Sequence, residues 1–131
     1  MFRRSLLLLL PLAACSGDAP SAQIDAAAPG GDAAVAVASV KQVACPAGAV
    51  PTVDAQNAAN AFTPKDSTVA VNGIVKFTMG TEHDVVPNTI TSTDTGLNVA
   101  FGATTCLQFT KAGTFGFACG THGFAGTITV Q

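Results

Sequence analysis

From residue 39 onward, short runs rich in Val, Ile, Thr and Phe are separated by Gly, Pro, Asn and Asp, and no run of ten residues has helical spacing of its apolar positions. Alternation of apolar and polar residues is clearest in Thr104-Thr105-Cys106-Leu107-Gln108-Phe109-Thr110 and in Gly126-Thr127-Ile128-Thr129-Val130. That period of two is the mark of a half-buried strand. The pattern predicts strands over Val40–Ala44, Ala59–Thr63, Ser67–Val71, Ile74–Met79, His83–Val86, Thr104–Thr110, Thr114–Cys119 and Thr127–Val130. Asn72-Gly73 between two of them predicts a hairpin, because both central positions of that turn favour positive φ. Lys111-Ala112-Gly113 predicts a second hairpin-like turn. Strands at this spacing without a βαβ rhythm predict an all-β Greek-key sandwich or small barrel of about seven to eight strands.

The first residues have a different character. Arg3-Arg4 and Ser5 precede Leu6 to Leu10, Pro11, Leu12, Ala13, Ala14 and Cys15. A basic start, a short apolar stretch and small residues at its end predict an export signal over residues 1–14. Leu12-Ala13-Ala14-Cys15 resembles the lipobox of bacterial lipoproteins, which implies lipidation of Cys15 and a membrane anchor. Ser16, where an aspartate could stand, resembles the signal for sorting to the outer membrane, so the expected place is the cell envelope, facing the periplasm. Ordinary cleavage leaving a free cysteine is the alternative. Residues 15–38 are mostly Ala, Pro, Gly, Ser and Asp without an aromatic, the composition of a flexible tether. A weak first element over Ala33 to Val40 is the other reading of its end. The expected folded domain is 39–131.

Composition narrows the function. Charged residues make up 11% of the 131, with 13 Gly, 8 Phe, no Trp and no Tyr. That excludes a coiled coil and a basic nucleic-acid binder. Six basic and eight acidic side chains become four and eight once Arg3 and Arg4 leave with the signal. A mildly acidic surface repels phosphate backbones and favours basic partners. No acid–base pair stands out, because Asp54, Asp66 and Asp94 read as solvated loop charges, so an enzyme is not expected.

The chemistry gathers in few residues. His83 and His122 are the two histidines, and Cys119-Gly120-Thr121-His122 ends the strand Thr114-Phe115-Gly116-Phe117-Ala118. One thiolate and two imidazoles suit a soft trigonal metal site of the blue-copper kind. Zinc accepts the same atoms but normally takes a fourth ligand or a water. Taken singly, His83 reads as a surface or hydrogen-bonded histidine and Cys119 as a buried small hydrophobe.

Together with their surroundings they resemble the cupredoxins of the plastocyanin and amicyanin type. The likeness runs through Ala61-Phe62-Thr63-Pro64, Val69 to Phe77, His83-Asp84-Val85-Val86, Phe109 to Gly113, Thr114 to His122 and Gly126 to Val130. It implies one type 1 copper held by His83, Cys119 and His122, cycling between Cu(I) and Cu(II) in electron transfer with protein redox partners, in a monomer. Cys119 is needed as thiolate, so copper binding would release its proton. The family's axial Met is missing. Its place falls on Phe124 or Ala125, depending on the direction of alignment, and neither can ligate. Met79, Glu82 or the carbonyl of Thr81 or Glu82 are the other donors near in sequence. A three-coordinate site should have a raised potential. Asp84 stands where the family commonly has Asn and could accept hydrogen bonds from Thr121 or a loop amide, orienting the ligands. With Cys15 and Cys119 assigned by these resemblances, Cys45 and Cys106 remain as a disulfide pair. Phe115 and Phe117 read as core, whereas Phe124 reads either as packing or as part of an apolar patch for partner docking.

Other functions stay open at this stage. A copper-binding or delivery lipoprotein without electron transfer is the main alternative, although delivery proteins usually offer several exposed Met or His and this chain has only Met1 and Met79. A purely structural module and a zinc hydrolase come after it.

Overall fold

The computed structural model describes residues 38–131. The expected export signal, Cys15 and the expected tether up to residue 37 lie outside the described residues. Among the described residues, eight strands make two four-stranded sheets. The first sheet contains β1 (Val40–Val43), β6 (Thr104–Phe109), β4 (Ile74–Met79) and β2 (Thr52–Ala55), side by side in that order. The second contains β3 (Asp66–Val69), β8 (Ala125–Val130), β7 (Gly113–Ala118) and β5 (Val86–Pro87).

Alternation along the strands builds the core. In β4, Val75, Phe77 and Met79 are buried while Ile74, Lys76 and Thr78 are half-buried. In β8, Gly126, Ile128 and Val130 are buried in the same rhythm. Phe77, Phe109 and Phe117 are fully enclosed, and each large apolar side chain removed from water contributes about 1.5–3 kcal/mol. Phe117 meets Phe77 edge-on at 5.3 Å and Phe62 at 4.7 Å between ring centres. Those arrangements suit the aromatic quadrupole.

Several sequence expectations need correction. Ala59–Thr63 is not a strand: only Thr63 pairs, by a single bridge to Asp54 with hydrogen bonds of 2.8 Å each way. His83 sits in a turn rather than opening a strand, Val85 makes one bridge to Val99, and only Val86–Pro87 is extended and paired. β2 was not expected. Its four residues offer just two inward side chains, Val53 and Ala55, which is too short an alternation to register.

Neither anticipated hairpin is one. Asn72 has φ +66, and the amide of Gly73 donates to the Ala70 carbonyl at 2.8 Å, so a tight turn exists. However, it joins β3 to β4, which lie in different sheets. Lys111-Ala112-Gly113 likewise carries the chain from β6 in one sheet to β7 in the other. Turn residues report local backbone angles and not the destination of the next strand. The one pair of consecutive strands that are hydrogen-bonded to each other is β7–β8, antiparallel with Ala118 opposite Ala125. Cys45 and Cys106 form the expected disulfide, with Cα atoms 5.2 Å apart. It ties the chain just past β1 to the strand that β1 pairs with.

Candidate metal centre

The β7–β8 connection holds two of the three candidate ligands. Cys119 follows directly on β7, its amide donating to the Phe124 carbonyl at 2.9 Å. The Gly123 amide donates to the Cys119 carbonyl at 2.8 Å, and Gly123 has φ +72, a conformation glycine adopts without steric penalty. The short loop is therefore pinned across its base, with Cys119 buried on one side and His122 exposed on the other. His83 comes from a separate turn after β4, where its amide donates to the Gly80 carbonyl at 3.1 Å.

These elements bring the three side chains together. Cys119 Sγ lies 3.7 Å from His83 Nδ1 and 3.6 Å from His122 Nδ1. One ligand atom from each residue lies within 4.8 Å of the others. A nitrogen at about 2.0 Å and a sulfur at about 2.3 Å from one ion, spread at a trigonal angle, stand roughly 3.7 Å apart. The observed spacing fits three donors to one metal ion. His83 and Cys119 are 0% and 1% exposed, so the thiol and one imidazole are withdrawn from water.

The hydrogen bond on the far side of His83 decides its chemistry. Nε2 lies 3.2 Å from the Gln56 carbonyl oxygen. A carbonyl can only accept, so Nε2 carries a proton, and in the neutral imidazole the lone pair then sits on Nδ1, facing the sulfur. Fixing the tautomer from behind is the usual duty of a metal ligand's outer partner. Asp84 Oδ1 accepts a 2.7 Å hydrogen bond from the Gly120 amide and so joins the two ligand segments. The acceptor role expected of Asp84 is thus directed at a loop amide, and Thr121 is exposed.

The chain shares its backbone fold with several solved structures. A Cu(I) form of an amicyanin variant superposes with a TM-score of 0.56 at 17% identity, over 71% of this chain and 99% of that one. Pseudoazurin from Hyphomicrobium denitrificans gives 0.52 at 19%, over 63% and 75%. Plastocyanin from Dryopteris crassirhizoma gives 0.50 at 24%, over 61% and 99%. The fold is the cupredoxin fold. No protein-family model and no curated protein matches the chain.

The residues that the sequence offers for a fourth ligand differ in their surroundings. Phe124 is half-buried, with its ring centre 5.1 Å from that of His83, 6.3 Å from that of His122 in a near-parallel stack, and 4.6 Å from that of Phe62. It packs against both imidazoles. Ala125 opens β8 opposite Ala118. Met79 ends β4 with its side chain in the core, and Thr81 and Glu82 are exposed in the turn before His83.

Two residues escaped the sequence. Gln56 acts through its backbone carbonyl, which carries no side-chain signature. Asn57 bonds the turn that holds His83, with Nδ2 donating to Thr81 Oγ1 at 2.8 Å and Oδ1 accepting from the Glu82 amide at 3.1 Å. Its only signal was an Asn in an Ala-rich stretch next to the unrecognised β2.

Proposed function

We propose that the protein is a type 1 copper electron-transfer protein, with His83, Cys119 and His122 as ligands, tethered through lipid on Cys15 to the bacterial cell envelope. A buried free thiol within 3.7 Å of two imidazole nitrogens, in a fold shared with copper proteins, carries this reading. Bound copper would supply a one-electron couple between Cu(I) and Cu(II). Cys119 would offer a thiolate, losing its proton as the ion binds. His83, locked as the Nε2–H tautomer, offers a donor nitrogen with no rearrangement. Phe124 adds a hydrocarbon wall and no donor atom beside the two histidines, consistent with three strong ligands and a raised potential. His122 is the exposed ligand and the natural approach for a redox partner. The outer membrane facing the periplasm, supported by Ser16 after the lipobox-like Cys15, and partners with basic surfaces, supported by the excess of acidic residues, belong to the same proposal.

The test is addition of Cu(II) to the full chain, followed by visible absorption and EPR. An intense blue or green thiolate-to-copper band that disappears in Cys119→Ser is the expected result. A colourless adduct, or a band that survives that substitution, would overturn the proposal.

A further inference from the structure

We infer, building on the metal centre proposed above, that Asn57 is a positioning residue for His83. Its side chain clips the Gln56 turn to the Thr81–Glu82 turn and so holds the Gln56 carbonyl on His83 Nε2. The relevant carbonyl belongs to the peptide unit between Gln56 and Asn57. It accepts twice, from the Ala59 amide at 2.9 Å and from His83 Nε2 at 3.2 Å, which uses both lone pairs. The Ala59 bond closes a turn with Asn57 at its second position and orients the carbonyl within that turn. It does nothing to fix the turn against the segment carrying His83.

Two other ties do that. On the β2 side, the Gly80 amide donates to the Ala55 carbonyl at 2.7 Å. On the other side, the Asn57 amide group donates to Thr81 Oγ1 and accepts from the Glu82 amide. Both ends of the side chain are engaged, and flipping it would set its NH2 against the N–H of Glu82. The approach is close: a Cβ on Gly80 would stand 2.9 Å from the Asn57 backbone nitrogen and would collide with its side-chain oxygen. Gln56 therefore lies between a backbone tie at Ala55 and a side-chain tie at Asn57. Release of the second leaves the turn that carries the carbonyl tied to the His83 segment on one side only, so that it can draw away from His83 Nε2. His83 could then adopt the Nδ1–H tautomer, which points a proton at the sulfur and has no lone pair there for a metal.

The decisive measurement uses the metal-free, full-length protein labelled with nitrogen-15, at one alkaline pH. The ring nitrogen shifts of His83 report the tautomer, and exchange of its Nε2–H with solvent reports how firmly the carbonyl is held. The unmodified protein should show the Nε2–H tautomer alone. Asn57→Ala should speed the exchange about tenfold and bring in the second tautomer, because protection follows from keeping the bond closed. Thr81→Ala should move both readings in the same direction, and Thr81→Ser, which keeps the hydroxyl, should restore them. If Asn57→Ala does not fold, the Thr81 pair decides by the same criteria. A lower melting temperature with unchanged tautomer and exchange would make Asn57 a turn stabiliser only and overturn the inference. Copper addition to the unmodified protein judges the metal centre separately, since the nitrogen signals are read without metal.

Discussion

Asp84 links the two halves of the site through one hydrogen bond, from the Gly120 amide to a carboxylate oxygen at 2.7 Å. An amide oxygen can accept the same bond. Asp84→Asn should therefore fold with stability within about 0.5 kcal/mol of the unmodified protein, while Asp84→Ala should lose about 1 kcal/mol by urea unfolding. If the proposed copper is bound, removal of a negative charge beside it in Asp84→Asn should also raise the reduction potential in voltammetry. A fall in potential would refute that electrostatic role. The axial position can be examined in the same way. Phe124 lies against both imidazoles, whereas Ala125 is engaged in the β7–β8 ladder. Phe124→Met should bring a thioether to the metal and lower the potential, as a donor that favours Cu(II) does, and Ala125→Met should leave it nearly unchanged. The reverse ranking would assign the position to Ala125. At this scale the sequence was most informative where residue types are scarce. Two histidines and a cysteine at the end of a Phe-rich strand identified themselves, but the carbonyl of Gln56 could not, because every residue has one.

The strands show why some elements were legible and others were not. β4, β6 and β8 have six residues each with clear alternation, and all were anticipated to within two residues at either end. β2 and β5 are short, and their pairing is imposed by neighbours rather than by their own pattern: β2 lies parallel to β4, and β5 pairs through two residues with β7. The crossing turns at Asn72 and Gly113 were misread as hairpins because their φ values suit either connection. β7 and β8 matter most for the proposed metal centre, since their connection carries Cys119 and His122. Their packing depends on Gly126, where a Cβ would stand 2.5 Å from the nearest carbon of the Phe117 ring and would collide with the Lys65 carbonyl. Gly126→Ala should cost about 1–3 kcal/mol, the usual range for overpacking. Phe117→Ala should cost about 3–5 kcal/mol by emptying a fully buried site. Chemical denaturation of each variant checks both, and a neutral Gly126→Ala would mean that the ring and the Lys65 carbonyl both move aside without loss.

For the molecule as a whole, the disulfide is the strongest single constraint on the unfolded chain. Cys45–Cys106 closes 61 residues that include β2 to β5 and the His83 turn, while β7, β8 and the loop carrying Cys119 and His122 lie outside it. Its effect on stability and its effect on the metal centre should therefore separate. Chain entropy assigns about 4 kcal/mol to a loop of this length, a large share of the stability of a domain this small. The Cys45→Ala/Cys106→Ala double variant should melt about 15–30 °C lower than the unmodified chain, by the size scaling of unfolding entropy. The native arrangement of the ligands does not pass through the disulfide: β6 pairs with β4 over five register positions, and β4 leads straight into the His83 turn. Well below its melting point, the copper-loaded double variant should keep the position of its absorption band and its EPR parameters. A shifted spectrum at unchanged stability would show instead that the cross-link holds the native sheets in register and does little to the unfolded chain.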